Sequence, residues 1–198
     1  MEQYISFLPS LCLGVCLSAC AGFRIFVPLL LANLALKFHV MPFSLGQDFS
    51  WLGTNTALIV LIAATIGEIL AYYLPFVDNL LDTIATPTSI VAGTILTTSI
   101  LQIDDPSLRW ALGIIAGGGV AGIISAGTSL LRLGSSKFTG GVGNPVLATI
   151  ENIFSIGLGV FSFFIPVLFA CCIFLAVVYI LRKLMSKKRV SVERFTQK

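Results

Sequence analysis

Between Tyr4 and Leu36 the chain carries a single charge, Arg24. A straight helix of that length runs to about 50 Å, against a bilayer hydrocarbon core of about 30 Å. The segment must therefore tilt strongly, break or turn back, and Ala21-Gly22 and Pro28 are its natural break points. His39 to Thr54, with Pro42, Gly46, Asp48 and Gly53, reads as a loop. Asn55 to Leu74 is a second apolar span, closed by Pro75. Val77 to Thr86 sets Asp78 and Asp82 four residues apart and reads as a short interfacial helix or loop. Pro87 to Ile103 is a third span, rich in Thr and Ser. Asp104-Asp105-Pro106 forms a turn with a helix-starting proline. The fourth span, Leu108 to Leu133, runs through Gly117-Gly118-Gly119 and Ala121-Gly122, which weaken a helix and let backbones approach. Gly134 to Pro145 reads as a loop, Val146 to about Gly159 as a fifth segment, and Phe161 to Leu181 as a sixth, the most uniformly apolar.

The pattern repeats. Residues 21–38 and 121–138 share Ala-Gly, Leu-Leu and Lys-Phe at the same spacing, and Ala64-Thr65-Ile66 returns as Ala148-Thr149-Ile150 beside a second glutamate. The two offsets differ by the length of the loop 39–54. The chain thus divides into a first membrane repeat, 1–103, carrying that extra loop, a second repeat, 104–186, and a basic tail, 187–198. Three spans in each related half imply opposite orientations in the bilayer. The expected fold is an all-α polytopic bundle of about six spans, built as two inverted three-helix repeats whose first helices are broken or re-entrant.

Composition narrows the class. Charged residues make up 11% of the chain and hydrophobic residues 57%, where a soluble domain carries about 25% charged residues. So little charge cannot cover a water-facing surface, and alternating short strands are absent, so the chain reads as a helical membrane protein. The net charge of +3 is concentrated in Arg182, Lys183, Lys187, Lys188, Arg189, Arg194 and Lys198. Such a tail reads as a topology determinant on the cytoplasmic side of a bacterial inner membrane rather than a nucleic-acid contact. Arg132 and Lys137 on the inside and Lys37 and Arg109 beside Asp48, Asp104 and Asp105 on the outside agree with that orientation. Leu17-Ser18-Ala19-Cys20 resembles a lipidation site, but Met1-Glu2-Gln3-Tyr4 lacks the positive charge of a secretory leader. Cys12, Cys16 and Cys20 fall on one helical stripe and read as small apolar residues. No metal or other cofactor is implied.

Ionisable residues inside spans carry the functional expectation, because an unpaired charge at the bilayer centre costs about 3 kcal/mol on insertion scales. Arg24, Glu68 and Glu151 are the candidates, with the two glutamates approaching the midplane from opposite sides and Arg24 able to pair with either. They read as a substrate- or proton-binding site, or as a structural ion pair fixing helix register. Arg132 and Lys137 read as interfacial. Gly140-Gly141-Val142-Gly143-Asn144-Pro145 could present backbone N–H groups to an anion, or form a turn with Asn144 as cap and Pro145 opening a helix. No nucleophile–base pair is visible, and the chain does not read as an enzyme.

Ala21 to Leu29, Gly67-Glu68 with Asp78 and Asp82, the segment 140–145 and Glu151-Asn152 together resemble the bacterial membrane family catalogued as domain of unknown function 4126, over nearly the whole chain. The resemblance supplies no activity, and it favours Arg24, Glu68, Asp78, Asp82, Asn144 and Glu151 as site residues. The sequence reading is a small inverted-repeat transporter, or a lipid- or small-solute-translocating protein, in contact with membrane lipids and open to homodimer formation. The alternative is a structural or assembly membrane protein whose buried charges only fix helix packing.

Overall fold

The computed structural model describes residues 2–40, 45–74 and 77–164, together with positions 172, 175, 176, 178, 179, 182 and 183. The span expected over Phe161–Leu181 falls mostly outside these residues, and the tail 187–198 wholly so. The helices are α1 (Glu2–Phe23), α2 (Phe26–Lys37), α3 (Asn55–Ala71), α4 (Val77–Ile100), α5 (Pro106–Leu112), α6 (Gly119–Thr139) and α7 (Asn144–Ser162). A 3₁₀ turn, Gln47–Gly53, precedes α3, and a π-helical stretch, Gly113–Gly118, joins α5 to α6. Among the described residues, three helical runs are long and apolar enough to cross a membrane: 80–100, 106–139 and 144–162. Three more apolar helices, 7–23, 26–37 and 55–71, are shorter.

The break in the first segment falls at Arg24-Ile25, just after the Ala21-Gly22 pair. Pro28 suits a break there: in an unbroken helix its ring would meet the Arg24 carbonyl, and in the first turn of α2 its missing N–H loses no helical bond.

Contact register fixes the helix directions. Along α1, Ser10 receives the Gln102 N–H (3.4 Å), and Ser18 bonds Thr97 (2.8 Å) and the Gly93 carbonyl (2.7 Å), so α1 and α4 are antiparallel. Gly93 lies against Gly117 and Ala121, and Gly122 against Ile90, so α4 and α6 are antiparallel too. Helices α1 and α6 therefore run the same way and cross where Gly22 meets Ala121 and Ile124.

After Arg24 the chain turns back. Asn33 of α2 donates to the carbonyls of Leu52 (2.5 Å) and Thr54 (3.2 Å), and the same loop is tied to the end of α4 by Gly46 N–H on Ser99 (3.1 Å). Gly159 of α7 faces both Cys20 of α1 and Leu31 of α2. Helices α1 and α2 are thus the two arms of a hairpin whose tip lies inside the protein and whose outer ends share one end of the bundle.

The second copy does not repeat this course. Residues 106–139 form one continuous helical run, in which Gly117 and Gly118 close the π-helical stretch and Gly119 opens α6 rather than breaking the chain. Ile124 and Ser125 stand where Arg24 and Ile25 stand in the first copy, and they stay helical. Helices α1 and α6 are parallel, whereas the segments the sequence echo matches, α2 and residues 126–137 of α6, run antiparallel.

Two boundaries also differ from expectation. Val77–Thr86 and the third span form one helix through Pro87, which lies on the exposed side. Nearby hydroxyls support the backbone there: Thr88 donates to the Ile84 carbonyl (2.6 Å) and Ser89 to Thr86 (2.9 Å). Likewise Gly134 to Thr139 is helical. That helix ends only at Gly140 and Gly141, whose φ values of 62° and 89° suit glycine and stop the helix.

The core surrounds α1. Leu13, Leu17 and Ala21 pack with Leu29 and Ala32 of α2, Ala92, Leu96 and Ile100 of α4, and Ala121 of α6. Small residues set the spacing, as expected where lipid offers no hydrophobic drive between helices. The Thr/Ser-rich face of α4 is buried in this contact at Ser89, Thr94, Thr97, Thr98 and Ser99.

Candidate functional site

The hairpin tip leaves two backbone N–H groups without helical partners, those of Ile25 and Phe26. Glu68, one turn before the end of α3, supplies both acceptors: its carboxylate oxygens lie 2.7 Å from Ile25 N and 3.0 Å from Phe26 N. Non-helical backbone inside a membrane protein is tolerated only when satisfied internally, and here one carboxylate does it. Arg24 points the other way, toward α7. Its Nη1 lies 3.1 Å from Glu151, Nε donates to Asn152 Oδ1 (2.5 Å) and Nη2 to the Ala148 carbonyl (3.1 Å). In the second sequence echo, the offset that pairs Ala64 with Ala148 pairs Glu68 with Asn152. The corresponding positions of α3 and α7 hold the hairpin tip from two sides.

A second arginine completes the site. Arg132 of α6 binds Glu151 through Nε (3.2 Å) and Nη2, and its Nε lies 3.7 Å from Asp82 of α4. Arg132 is 2% exposed, so the interfacial placement expected from sequence is overturned. It also no longer counts among loop charges, which leaves Lys137 and the basic tail to mark that side. Both guanidinium carbons sit 4.0 Å from the centroid of the Tyr72 ring, at the end of α3. Two cations over one aromatic ring, sharing one carboxylate, make a compact electrostatic unit.

One turn nearer the bundle end lies a second layer from the same three helices. Asn144 donates to Asp78 Oδ2 (2.8 Å) and to Ser136 Oγ (3.1 Å). The pairs Asp78/Asp82 and Ser136/Arg132 are each four residues apart on a helix, so each helix contributes to both layers. Asn144 does not cap α7, whose cap position is Gly143 without a side-chain bond. Three N–H groups at this turn are bonded internally: Val142 to the Thr139 carbonyl, Gly143 to the Thr139 hydroxyl, and Asn144 to the Gly141 carbonyl.

All six residues nominated from sequence, Arg24, Glu68, Asp78, Asp82, Asn144 and Glu151, lie in this one assembly. Glu68 and Glu151 both sit toward the bundle end that carries the 140–143 turn. Arg24 pairs with Glu151, while Glu68 is given to the backbone. The residues missed were Arg132, Tyr72 and Asn152. A signal existed for the first: an arginine embedded in Leu130-Leu131-Arg132-Leu133 is as costly to leave unpaired as Arg24.

Chemically, two arginines face four carboxylates, yet the satisfaction is incomplete. Arg132 Nη1 and Asn144 Oδ1 are buried without a hydrogen-bond partner among the described residues. From Arg24 a polar chain leads outward: Asn152 Nδ2 lies 3.4 Å from the Tyr73 hydroxyl, which lies 2.9 Å from Thr149 Oγ1, and both Tyr73 and Thr149 are exposed.

Residues 11–186 match the family described as Domain of unknown function (DUF4126). No curated protein and no solved structure matches the chain.

Proposed function

Since the chain belongs to the DUF4126 family, a domain of unknown function, we propose that it moves a small solute or a lipid across or within the membrane, at the cluster around Arg24. The observation that carries this reading is the interrupted helix. Transporters place discontinuous helices at their binding sites, because freed backbone groups and buried charges there can engage a ligand. The hairpin tip at Arg24-Ile25 has that form, held by Glu68 on one side and by Glu151 and Asn152 on the other. Two guanidiniums on one carboxylate offer an arrangement that can open, since either arginine keeps other partners when Glu151 leaves. In this reading the protein sits in a bacterial inner membrane with the basic tail cytoplasmic. A second copy could thicken the walls of the path, and no enzymatic step is involved.

The structural alternative rests on the density of pairing: Glu68 caps backbone, and Arg24 and Arg132 both bind Glu151, as register-fixing charges do. Reconstitution separates the two. Proteoliposomes carrying a fluorescent phospholipid or a trapped solute are assayed for flux, with Arg24→Gln as the variant and circular dichroism as the check on fold. Flux above protein-free vesicles, lost in a folded Arg24→Gln protein, supports translocation. Wild-type vesicles no leakier than empty ones, for lipid and solute alike, leave the structural reading.

A further inference from the structure

The cluster's polar chain reaches the surface between the end of α3 and α7. Helix α3 packs on α2 and the 3₁₀ turn, whereas its end and α7 hardly meet through backbone. Tyr73 spans that gap, with its hydroxyl on Thr149 and within reach of Asn152. The rim on both sides is apolar and exposed: Ile66 and Leu70 on α3, Ile150 and Ile153 on α7. Behind the hydroxyl bridge lie Asn152 and then Arg24. Behind Arg24 lies Arg132, 2% exposed, with Nη1 unpartnered among the described residues.

We propose that this gap admits an anionic phosphate group, borne by a membrane lipid, which binds Arg24 and Arg132 in the place now held by the Glu151 carboxylate. The inference rests on the translocation reading of the cluster and names its ligand class. Three observations converge on it. Paired guanidiniums aimed at one set of oxygens are the geometry that recognises phosphate or carboxylate in bidentate fashion. Glu151 supplies such oxygens from within, so the protein carries its own competing anion. The apolar rim beside a polar bridge, toward the bundle end that carries the 140–143 turn, matches a molecule with acyl chains outside and a charged head directed in.

The test is equilibrium binding to the purified full-length protein in detergent, read as a thermal-unfolding shift. The probes are phosphatidylglycerol, phosphatidylcholine and inorganic phosphate. Phosphatidylglycerol should raise Tm and phosphatidylcholine should not. Glu151→Gln removes the internal competitor and should tighten phosphatidylglycerol binding by about tenfold, a modest electrostatic gain for a close charge pair. Arg132→Gln should lose the shift, and Arg132→Lys, which keeps the charge but not the fork, should weaken it. Tyr73→Phe deletes one exposed hydroxyl, buries no charge, and should leave the shift in place while speeding lipid exchange. Equal shifts with both lipids, a shift that survives both Arg132 variants, or no tightening in Glu151→Gln would overturn the proposal. An equal shift with inorganic phosphate upholds the anion site and overturns its lipid source. Binding is measured without flux, so a protein that binds phosphatidylglycerol but moves nothing sinks the translocation reading alone. One that moves lipid with no anion-dependent shift sinks this proposal alone.

Discussion

At the scale of single residues, the cost of a buried charge decides what each side chain does. Arg132 is the sharpest case. Replacing it with methionine leaves Glu151 with only Arg24 and Asp82 without a cation, and such broken buried pairs cost about 3–5 kcal/mol. An arginine at a lipid–water boundary would cost under about 1 kcal/mol. Chemical or thermal unfolding of Arg132→Met in detergent distinguishes these outcomes, and the larger loss is expected. Glu68 differs because its partners are backbone N–H groups. Glu68→Gln keeps one acceptor and loses charge assistance, whereas Glu68→Ala strands both Ile25 and Phe26 N–H groups. Alanine should therefore cost about 1–3 kcal/mol more per orphaned group than the glutamine variant, measured the same way. The sequence pointed to Arg24, Glu68 and Glu151 because ionisable groups in apolar spans stand out, and the family resemblance added Asp78, Asp82 and Asn144. It passed over Arg132 because that residue lies near a span end and had no counterpart in the first copy, so snorkelling accounted for it equally well. Tyr72 was invisible for a different reason: a tyrosine at a helix end is ordinary, and only the fold sets two guanidiniums on its ring.

Among the elements, close approach replaces hydrophobic drive. Gly93 of α4 faces Ala121 and Gly117 so closely that an added Cβ would lie 2.6 Å from the Ala121 Cβ and 2.7 Å from the Gly117 carbonyl oxygen. Gly67 of α3 has open space on the same test. Gly93→Ala should destabilise the fold by about 1–3 kcal/mol through overpacking, while Gly67→Ala should be neutral or gain up to about 1 kcal/mol in helix propensity. Equal behaviour of the two variants in an unfolding titration would mean that the α4–α6 contact does not set the spacing. Most helices were legible as apolar runs. Their ends were less so, and Pro87 shows why. Proline marks a boundary in an isolated helix, but here it lies on the exposed face with Thr88 and Ser89 bonding nearby carbonyls, so α4 runs through it. The glycine run at 117–119 misled in the opposite sense. With Gly117 packed against Gly93 and Thr97 and Gly118 against Thr94, it closes a π-helical turn where an unsupported run would have broken.

For the whole molecule, the course of the first segment sets how many times the chain crosses. Length alone left tilting, breaking and turning back open, and nothing in the apolar pattern separates them. The decisive contacts are non-local: Ser10 with Gln102 on one arm, Asn33 with Leu52 and Thr54 on the other, and Glu68 at the tip. They place both arms' outer ends at one end of the bundle, with the 140–143 turn at the other. The placement has a direct consequence for labelling from outside intact vesicles. In a background free of native cysteine, single cysteines replace Leu8, Phe38, Ser50 and Val142, all exposed positions. A membrane-impermeant thiol reagent should modify the first three from one side and Val142 from the other. Leu8 and Phe38 reacting from opposite sides would mean that α1 and α2 cross together as one broken span, and Arg24 would then sit within a crossing rather than at the tip of a hairpin. The Glu68 cap would lose its purpose in that case, because a helix continuing through Ile25 and Phe26 needs no external acceptor. Labelling and the Glu68→Ala loss are thus two measurements of one geometry, and they should agree.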